Sequence, residues 1–107
     1  MASGEAILFK EIWDALEPEE RVSFVTRHTL PTPHEMRTYY FSHLLTKGAF
    51  PKFELNKENI VFMTLEEHRL WENYKYLIRE NKHKMKLWEH VFVKAEELKK
   101  EYYESYR

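Results

Sequence analysis

The sequence changes its periodicity at Thr64, and this change constrains the fold more than any other feature. Before Thr64 the apolar segments are short and are separated by prolines and polar turns, which is typical of strands and loops. From Thr64 onward apolar residues recur every three or four positions, and Thr64 followed by Glu67 forms a capping box that starts a helix. The pattern therefore predicts an α+β fold whose C-terminal part is helical.

The periodicity also predicts the individual elements. We expect an N-terminal helix over residues 5–16, strands over 21–26, 39–45 and 59–63, and a break between two C-terminal helices at 81–84. The last helix carries one apolar stripe, formed by Met85, Trp88, Phe92, Ala95, Leu98 and Tyr102. Gly48 is the only glycine outside the N-terminal segment, so we expect a turn there with positive φ.

Length and composition limit the class of protein. A chain of 107 residues with 43% hydrophobic residues suits a single domain with its own core. No apolar run is long enough to cross a membrane and the N-terminus does not resemble a signal peptide, so we expect a cytoplasmic protein without a membrane partner. The chain has no cysteine, which excludes disulfides, thiolate nucleophiles and thiolate zinc sites.

Charge is divided unevenly along the chain. Residues 1–20 hold one Lys and six acidic residues, whereas residues 21–57 hold six basic and two acidic residues. Residues 58–107 hold ten of each sign. A basic middle segment is compatible with an anionic partner, although ordinary variation over a protein surface explains it equally well.

Three polar residues stand out between the second strand and the C-terminal helices. His43 lies on the predicted strand 39–45, Asn59 begins the next strand, and His68 lies near the start of the following helix. The surrounding segments are Ser42-His43-Leu44-Leu45 with Lys47-Gly48, then Glu58-Asn59-Ile60-Val61, then Glu66-Glu67-His68. This order resembles the HNH nucleases, and compact phage-type members in particular, in which a ββα-metal motif carries a His, an Asn and a His.

The resemblance implies a metal-dependent endonuclease that hydrolyses DNA phosphodiesters in the cytoplasm of a bacterial host. It implies an HNH core over residues 21–73, with an N-terminal helix in 1–20 and a helical extension in 74–107. His43 would be the general base, Asn59 would orient the loop that carries it, and His68 would bind the metal. The metal would be Mg²⁺ or Mn²⁺, with Zn²⁺ or Ni²⁺ as alternatives. The loop lysines expected to contact DNA phosphates are Lys47, Lys52 and Lys57.

The chain departs from the family pattern in two places. Many HNH proteins brace the motif with a zinc site of two Cys-x-x-Cys pairs, and the corresponding positions here are Ser23, Thr26, Thr64 and Glu67. We therefore expect no structural zinc. Active members usually have Asp or His immediately before the base, where it helps bind the metal, and this chain has Ser42.

These departures leave a second function open. The chain could be a catalytically silent HNH-fold protein, such as a phage counter-defence factor that captures a host protein, a nucleic acid or a nucleotide. An exposed face of the last helix could support a homodimer. A third reading is a wholly helical interaction module in which the motif is coincidental.

Overall fold

An N-terminal helix, a short two-stranded sheet and three C-terminal helices make up a mostly helical α+β fold. The computed structural model describes residues 4–106, so residues 1–3 and 107 of the predicted terminal segments lie outside the described residues. The elements are α1 (Gly4–Asp14), β1 (Phe41–His43), β2 (Ile60–Phe62), α2 (Leu65–Asn73), α3 (Lys75–Arg79) and α4 (Lys82–Ser105). Within that described range, no helix is both long enough and apolar enough to span a membrane.

The two strands pair antiparallel, with Ser42 opposite Val61 at the centre. Backbone bonds continue the pairing beyond both ends, from Leu44 N to Asn59 O at 2.9 Å and from Met63 N to Tyr40 O at 2.8 Å. The strands are therefore shorter than the predicted 39–45 and 59–63, but they lie within those ranges. Because two strands are present, the wholly helical reading is wrong.

The sheet lies between two apolar clusters. Side chains alternate between the faces of a strand, so Phe41 and His43 point to one face and Ser42 points to the other. On the first face α1 contributes Phe9, whose ring stacks on Phe41 with a centroid separation of 4.2 Å. On the second face Val61 joins a larger cluster formed with α2, α3 and α4. His43 and Ser42 therefore begin on opposite sides of the sheet.

A buried arginine fixes the C-terminal end of α1. The Arg21 guanidinium lies 4.3 Å from the centroid of the Trp13 ring and donates two hydrogen bonds to the Trp13 carbonyl, at 2.9 and 3.2 Å. It donates a third, at 2.7 Å, to the Pro33 carbonyl in the proline-rich loop. These bonds join α1 to that loop, and α1 ends two residues before the predicted boundary at residue 16.

The predicted strand over residues 21–26 is wrong. The segment forms a turn in which the Ser23 hydroxyl accepts hydrogen bonds from the Val25 and Thr26 amides, and Arg27 has φ of 67°. A single bridge between Val22 and Thr29 closes the turn. A serine side chain that bonds to nearby backbone competes with strand pairing, which the β-branched composition of the segment does not reveal.

The prediction of a positive φ at Gly48 is also wrong. Neither glycine in the described residues has a positive φ. Gly48 is exposed, and a Cβ atom built there would meet nothing within 4 Å. The turn at this position therefore does not require glycine.

The helical region begins as predicted. The Thr64 side chain accepts from the Glu67 amide, and the Glu67 carboxylate accepts from the Thr64 amide, which confirms the capping box. An additional break falls at Tyr74, between α2 and α3, and Asn81 caps the start of α4 within the predicted break. The predicted stripe of α4 faces the core, with Val91 as a further fully buried member.

Candidate active site

His43 ends β1 with its ring held by the loop that follows. Its Nε2 atom lies 3.0 Å from the carbonyl oxygen of Glu54. A carbonyl can only accept a hydrogen bond, so Nε2 carries the proton and Nδ1 keeps a lone pair in the neutral ring. The ring is half-buried beside Phe9, with 6.3 Å between ring centroids. A neutral imidazole with one anchored nitrogen can accept a proton at the other.

Asn59 is fully buried and holds the same loop at two points. Its Oδ1 accepts from the Leu45 amide at 2.7 Å, while its Nδ2 donates to the carbonyls of Leu45 at 3.0 Å and Phe53 at 3.3 Å. Phe53 directly precedes Glu54, whose carbonyl binds His43. Asn59 therefore fixes the backbone that orients the His43 ring.

His68 lies in the second turn of α2. Its hydrogen-bond partners indicate which of its ring nitrogens carry protons. Nδ1 donates to the Tyr39 carbonyl at 2.9 Å and lies 3.2 Å from the Ser42 hydroxyl. The opposite nitrogen, Nε2, lies 2.9 Å from Glu72 Oε1. Both partners can only accept, so this geometry fits a ring that carries a proton on each nitrogen and forms an ion pair with Glu72. A metal ion bound at Nε2 would replace the proton on that nitrogen.

Both histidines line one cavity of about 290 Å³, which we call the histidine cavity. Glu5, Lys47 and Glu72 also line it. A second cavity of about 300 Å³, the adjoining cavity, shares His43, Lys47 and Glu72 with the first. Residues that are distant in sequence therefore surround one concave surface.

The three loop lysines have different positions. Lys47 lines both cavities, and its ammonium pairs with Glu5 of α1 at 3.1 Å. Lys52 and Lys57 are exposed and line neither cavity. Of these three lysines, Lys47 is therefore the one placed beside the two histidines.

A metal ion at this site would have two protein ligands and several waters. The described residues contain no group of three or more His, Asp or Glu side chains arranged to hold a metal. The pair His68 Nε2 and Glu72 Oε1 offers one imidazole and one carboxylate, and Mg²⁺ in proteins usually keeps several waters. Ser42 is fully buried and meets the Nδ1 side of His68, away from Glu72.

Glu72 is a candidate site residue that the sequence reasoning missed. It lies one helical turn after His68, and residues four apart share a helix face. That spacing was visible in the sequence. It was not informative alone, because surface helices contain many such pairs.

The four positions matched to the zinc-binding cysteines come together by hydrogen bonding. The Ser23 hydroxyl donates to Glu67 Oε1 at 2.7 Å and accepts from the Thr26 amide at 3.2 Å. Glu67 Oε1 also accepts from the Thr64 amide at 2.8 Å. A polar cluster thus joins the 23–28 turn to the first turn of α2.

Comparisons of the chain with protein-family models, with curated proteins and with solved structures found no match. The candidate site therefore depends on the geometry described above.

Proposed function

We propose that this protein is a metal-dependent HNH-type DNA endonuclease. One observation carries the proposal: His43 and His68 line the same cavity, while Asn59 fixes the loop between them. Three observations support these roles. Within residues 4–106, Nδ1 of His43 has no hydrogen-bond partner; Asn59 is buried and bonded to backbone; and Nε2 of His68 lies beside a carboxylate.

The two strands and α2 lie at the centre of the proposed motif. We infer that β1, β2 and α2 form the ββα-metal motif of an HNH core over residues 21–73. Residues 1–20 and 74–107 then supply the flanking helices. This assignment is supported by the order of the elements and by the antiparallel register that places His43 opposite Ile60, directly after Asn59.

The proposed hydrolysis uses the hydrogen-bonded ring of His43 as the general base. Nδ1 of His43 takes a proton from the water that attacks the phosphorus, while Glu54 O keeps the other proton on Nε2. The bond from phosphorus to the leaving sugar oxygen breaks, and that oxygen takes up a proton from solvent. His68 and Glu72 would hold Mg²⁺ or Mn²⁺, with Zn²⁺ or Ni²⁺ as alternatives, and the bound ion would neutralise charge on the phosphate oxygens. Lys47 adds a positive charge beside the same phosphate.

Nicking of supercoiled plasmid tests the proposal directly. We expect nicking with Mg²⁺, Mn²⁺ or Ni²⁺, no nicking in EDTA, and loss of activity in His43→Ala with the circular-dichroism spectrum unchanged. His34→Ala is the matched control, because His34 is exposed and lines neither cavity. Absence of nicking with every metal would overturn the enzymatic function.

Metal binding can be measured separately from cleavage. Isothermal titration of Mn²⁺ should give one site in the wild type and a loss of affinity of about ten- to one hundredfold in His68→Ala and Glu72→Gln. Glu66→Gln removes the same charge from an exposed position of α2 and should bind as the wild type does. Equal binding by all four proteins would remove His68 and Glu72 as ligands.

A catalytically silent binding protein is the second candidate, and Ser42 favours it. The side chain is buried and approaches only the Nδ1 side of His68, so it adds nothing to the Nε2 and Glu72 pair. In this case the protein would capture a host protein, a nucleic acid or a nucleotide without cutting. Recovery of a specific host component by the wild type but not by His68→Ala, with no nicking, would support this function.

Two further predictions, one about self-association and one about cellular location, accompany the proposed function. A homodimer through α4 would require its exposed apolar side chains, such as Leu87 and Val93, to be covered. Analytical ultracentrifugation of wild type and Val93→Glu would detect the homodimer.

A bacterial cytoplasmic location, in a cell carrying a phage or prophage, is expected if the substrate is intracellular DNA.

A further inference from the structure

A third concave surface lies next to the adjoining cavity, between the 44–50 segment and the C-terminal helices. We call it the basic cavity; its volume is about 130 Å³. Its floor is apolar and includes Trp71 and Phe92. Its polar rim consists of Thr46, Lys75, Arg79, Glu96 and Lys99. Three cations and one carboxylate therefore surround a small hollow.

Aromatic faces hold two of these cations. The Lys75 ammonium lies 4.4 Å from the Trp71 ring centroid, and the Arg79 guanidinium lies 5.0 Å from the Phe92 ring centroid. Neither side chain forms an ion pair with a carboxylate of residues 4–106. Their polar hydrogens therefore stay available to a ligand.

The positive charge at the rim is only partly balanced. Burial lowers the pKa of Lys75, and the nearby charges of Arg79 and Lys99 lower it further, although Glu72 acts in the opposite direction. Glu96 pairs with Lys99 at 3.5 Å. Holding Lys75 charged in this place costs free energy that an entering anion would offset.

The basic cavity shares part of its wall with the cavity beside His43. Thr46, Trp71 and Lys75 line both the basic cavity and the adjoining cavity, in which His43 and Lys47 also lie. His43 and Lys75 line the same adjoining cavity, so a phosphate next to one bound at His43 would lie on the side of Lys75. The small volume suits a phosphate group with a few waters.

We propose that Lys75, Arg79 and Lys99 bind a backbone phosphate of the DNA strand, next to the phosphate that His43 attacks. This inference rests on the proposed function and names a phosphate-binding group outside the predicted loop lysines. Cationic side chains that meet backbone phosphates add affinity without reading sequence. The C-terminal helices would thus extend the DNA-binding surface beyond the HNH core.

Binding of a short labelled DNA duplex, measured by fluorescence anisotropy in EDTA across a range of salt concentrations, tests the inference without cleavage. The variant combines Lys75→Gln with Arg79→Gln. Its affinity should fall about tenfold or more, and its plot of log K against log salt should become shallower by about 0.9 for each phosphate that the variant no longer neutralises. The matched control combines Lys84→Gln with Lys100→Gln, which removes two exposed charges of α4 outside all three cavities.

Three outcomes separate the possibilities. Selective weakening of binding in the Lys75 and Arg79 variant, with a melting temperature no lower than that of the wild type and with binding retained by Lys75→Arg, supports the inference. Equal weakening in both pairs, or unchanged binding in both, overturns it. If the wild type binds with the expected salt dependence but cuts no DNA with any metal, the proposed function fails while the phosphate-binding role of these cations stands.

Discussion

The hydroxyl of Ser23 donates a 2.7 Å hydrogen bond to Glu67 Oε1, across 44 positions of sequence. The same carboxylate oxygen accepts from the Thr64 amide and thereby completes the cap of α2. One oxygen atom thus joins a local capping interaction to a tertiary contact. In this protein a hydrogen-bonded cluster occupies the positions at which we matched the zinc-binding cysteines of HNH proteins.

A double-mutant cycle should show that Ser23 and Glu67 are coupled. We expect Ser23→Ala and Glu67→Ala to interact by about 1–2 kcal/mol in urea unfolding, because the acceptor is a carboxylate and both groups are at least half-buried. Glu66→Ala, at the exposed neighbouring position, should combine additively with Ser23→Ala. A coupling energy near zero for Ser23 and Glu67 would contradict the role given to this bond.

The same four positions should accept zinc when all are cysteine. Ser23 and Thr26 have Cys-x-x-Cys spacing, as do Thr64 and Glu67, and the structure brings the two pairs together. The variant with four cysteines should bind one Zn²⁺, melt at a higher temperature with zinc and lose that gain on chelation. Co²⁺ spectra typical of four thiolates would identify the ligands. A variant that keeps Thr26 should bind zinc more weakly, and equal affinity would exclude a site at all four positions.

Asn59 should be among the most sensitive positions in the chain. Asn59→Ala leaves the Leu45 amide and the carbonyls of Leu45 and Phe53 without their side-chain partner, in a place closed to water. We expect a decrease of about 2–4 kcal/mol in the free energy of unfolding. Asn73→Ala, at an exposed site, should stay within about 0.5 kcal/mol of wild type. Similar decreases in both variants would mean that Asn59 does not hold the loop.

Under the proposed function, Glu5 should weaken DNA binding by occupying Lys47. The carboxylate lies in the histidine cavity and pairs with the Lys47 ammonium at 3.1 Å, so it competes with a phosphate for the same cation. Glu5→Gln should raise DNA affinity about two- to fivefold, the range set by a partly exposed ion pair. Glu11→Gln removes the same charge from an exposed position of α1. If the two variants raise affinity equally, net charge and not Lys47 explains the effect.

Lys75 should make stability depend on pH in the alkaline range. Its pKa in the folded protein lies below the ordinary value of 10.5, mainly because of burial and Arg79. Between these two pKa values the unfolded chain binds more protons than the folded protein, so wild-type stability rises with pH across that window. Lys75→Met should therefore be more stable than wild type at pH 7, and the advantage should shrink as pH approaches 10.5. Thermal melts over this range, with Lys100→Met as the exposed control, would contradict the prediction if the advantage did not change.

Local patterns predicted much of the fold. The capping box at Thr64 and the stripe along α4 depend on residues a few positions apart, so sequence periodicity was sufficient to find them. The turn at Ser23 was missed because its conformation depends on side-chain bonds to neighbouring amides. The break at Tyr74 was missed because the helical apolar pattern runs through it without an obvious interruption.

The sequence by itself determined which residue types could act and the order of strand, loop, strand and helix that carries them. His43, Asn59 and His68 became candidates through the resemblance to the HNH nucleases, which depends only on the order of residues in the chain. Only the tertiary structure decided that both histidines line one cavity and that Lys47 forms an ion pair with Glu5. It also showed that Glu72 contacts Nε2 of His68. The physical reason is that these contacts cross between elements, and their distances depend on how α1 and α2 pack on the sheet.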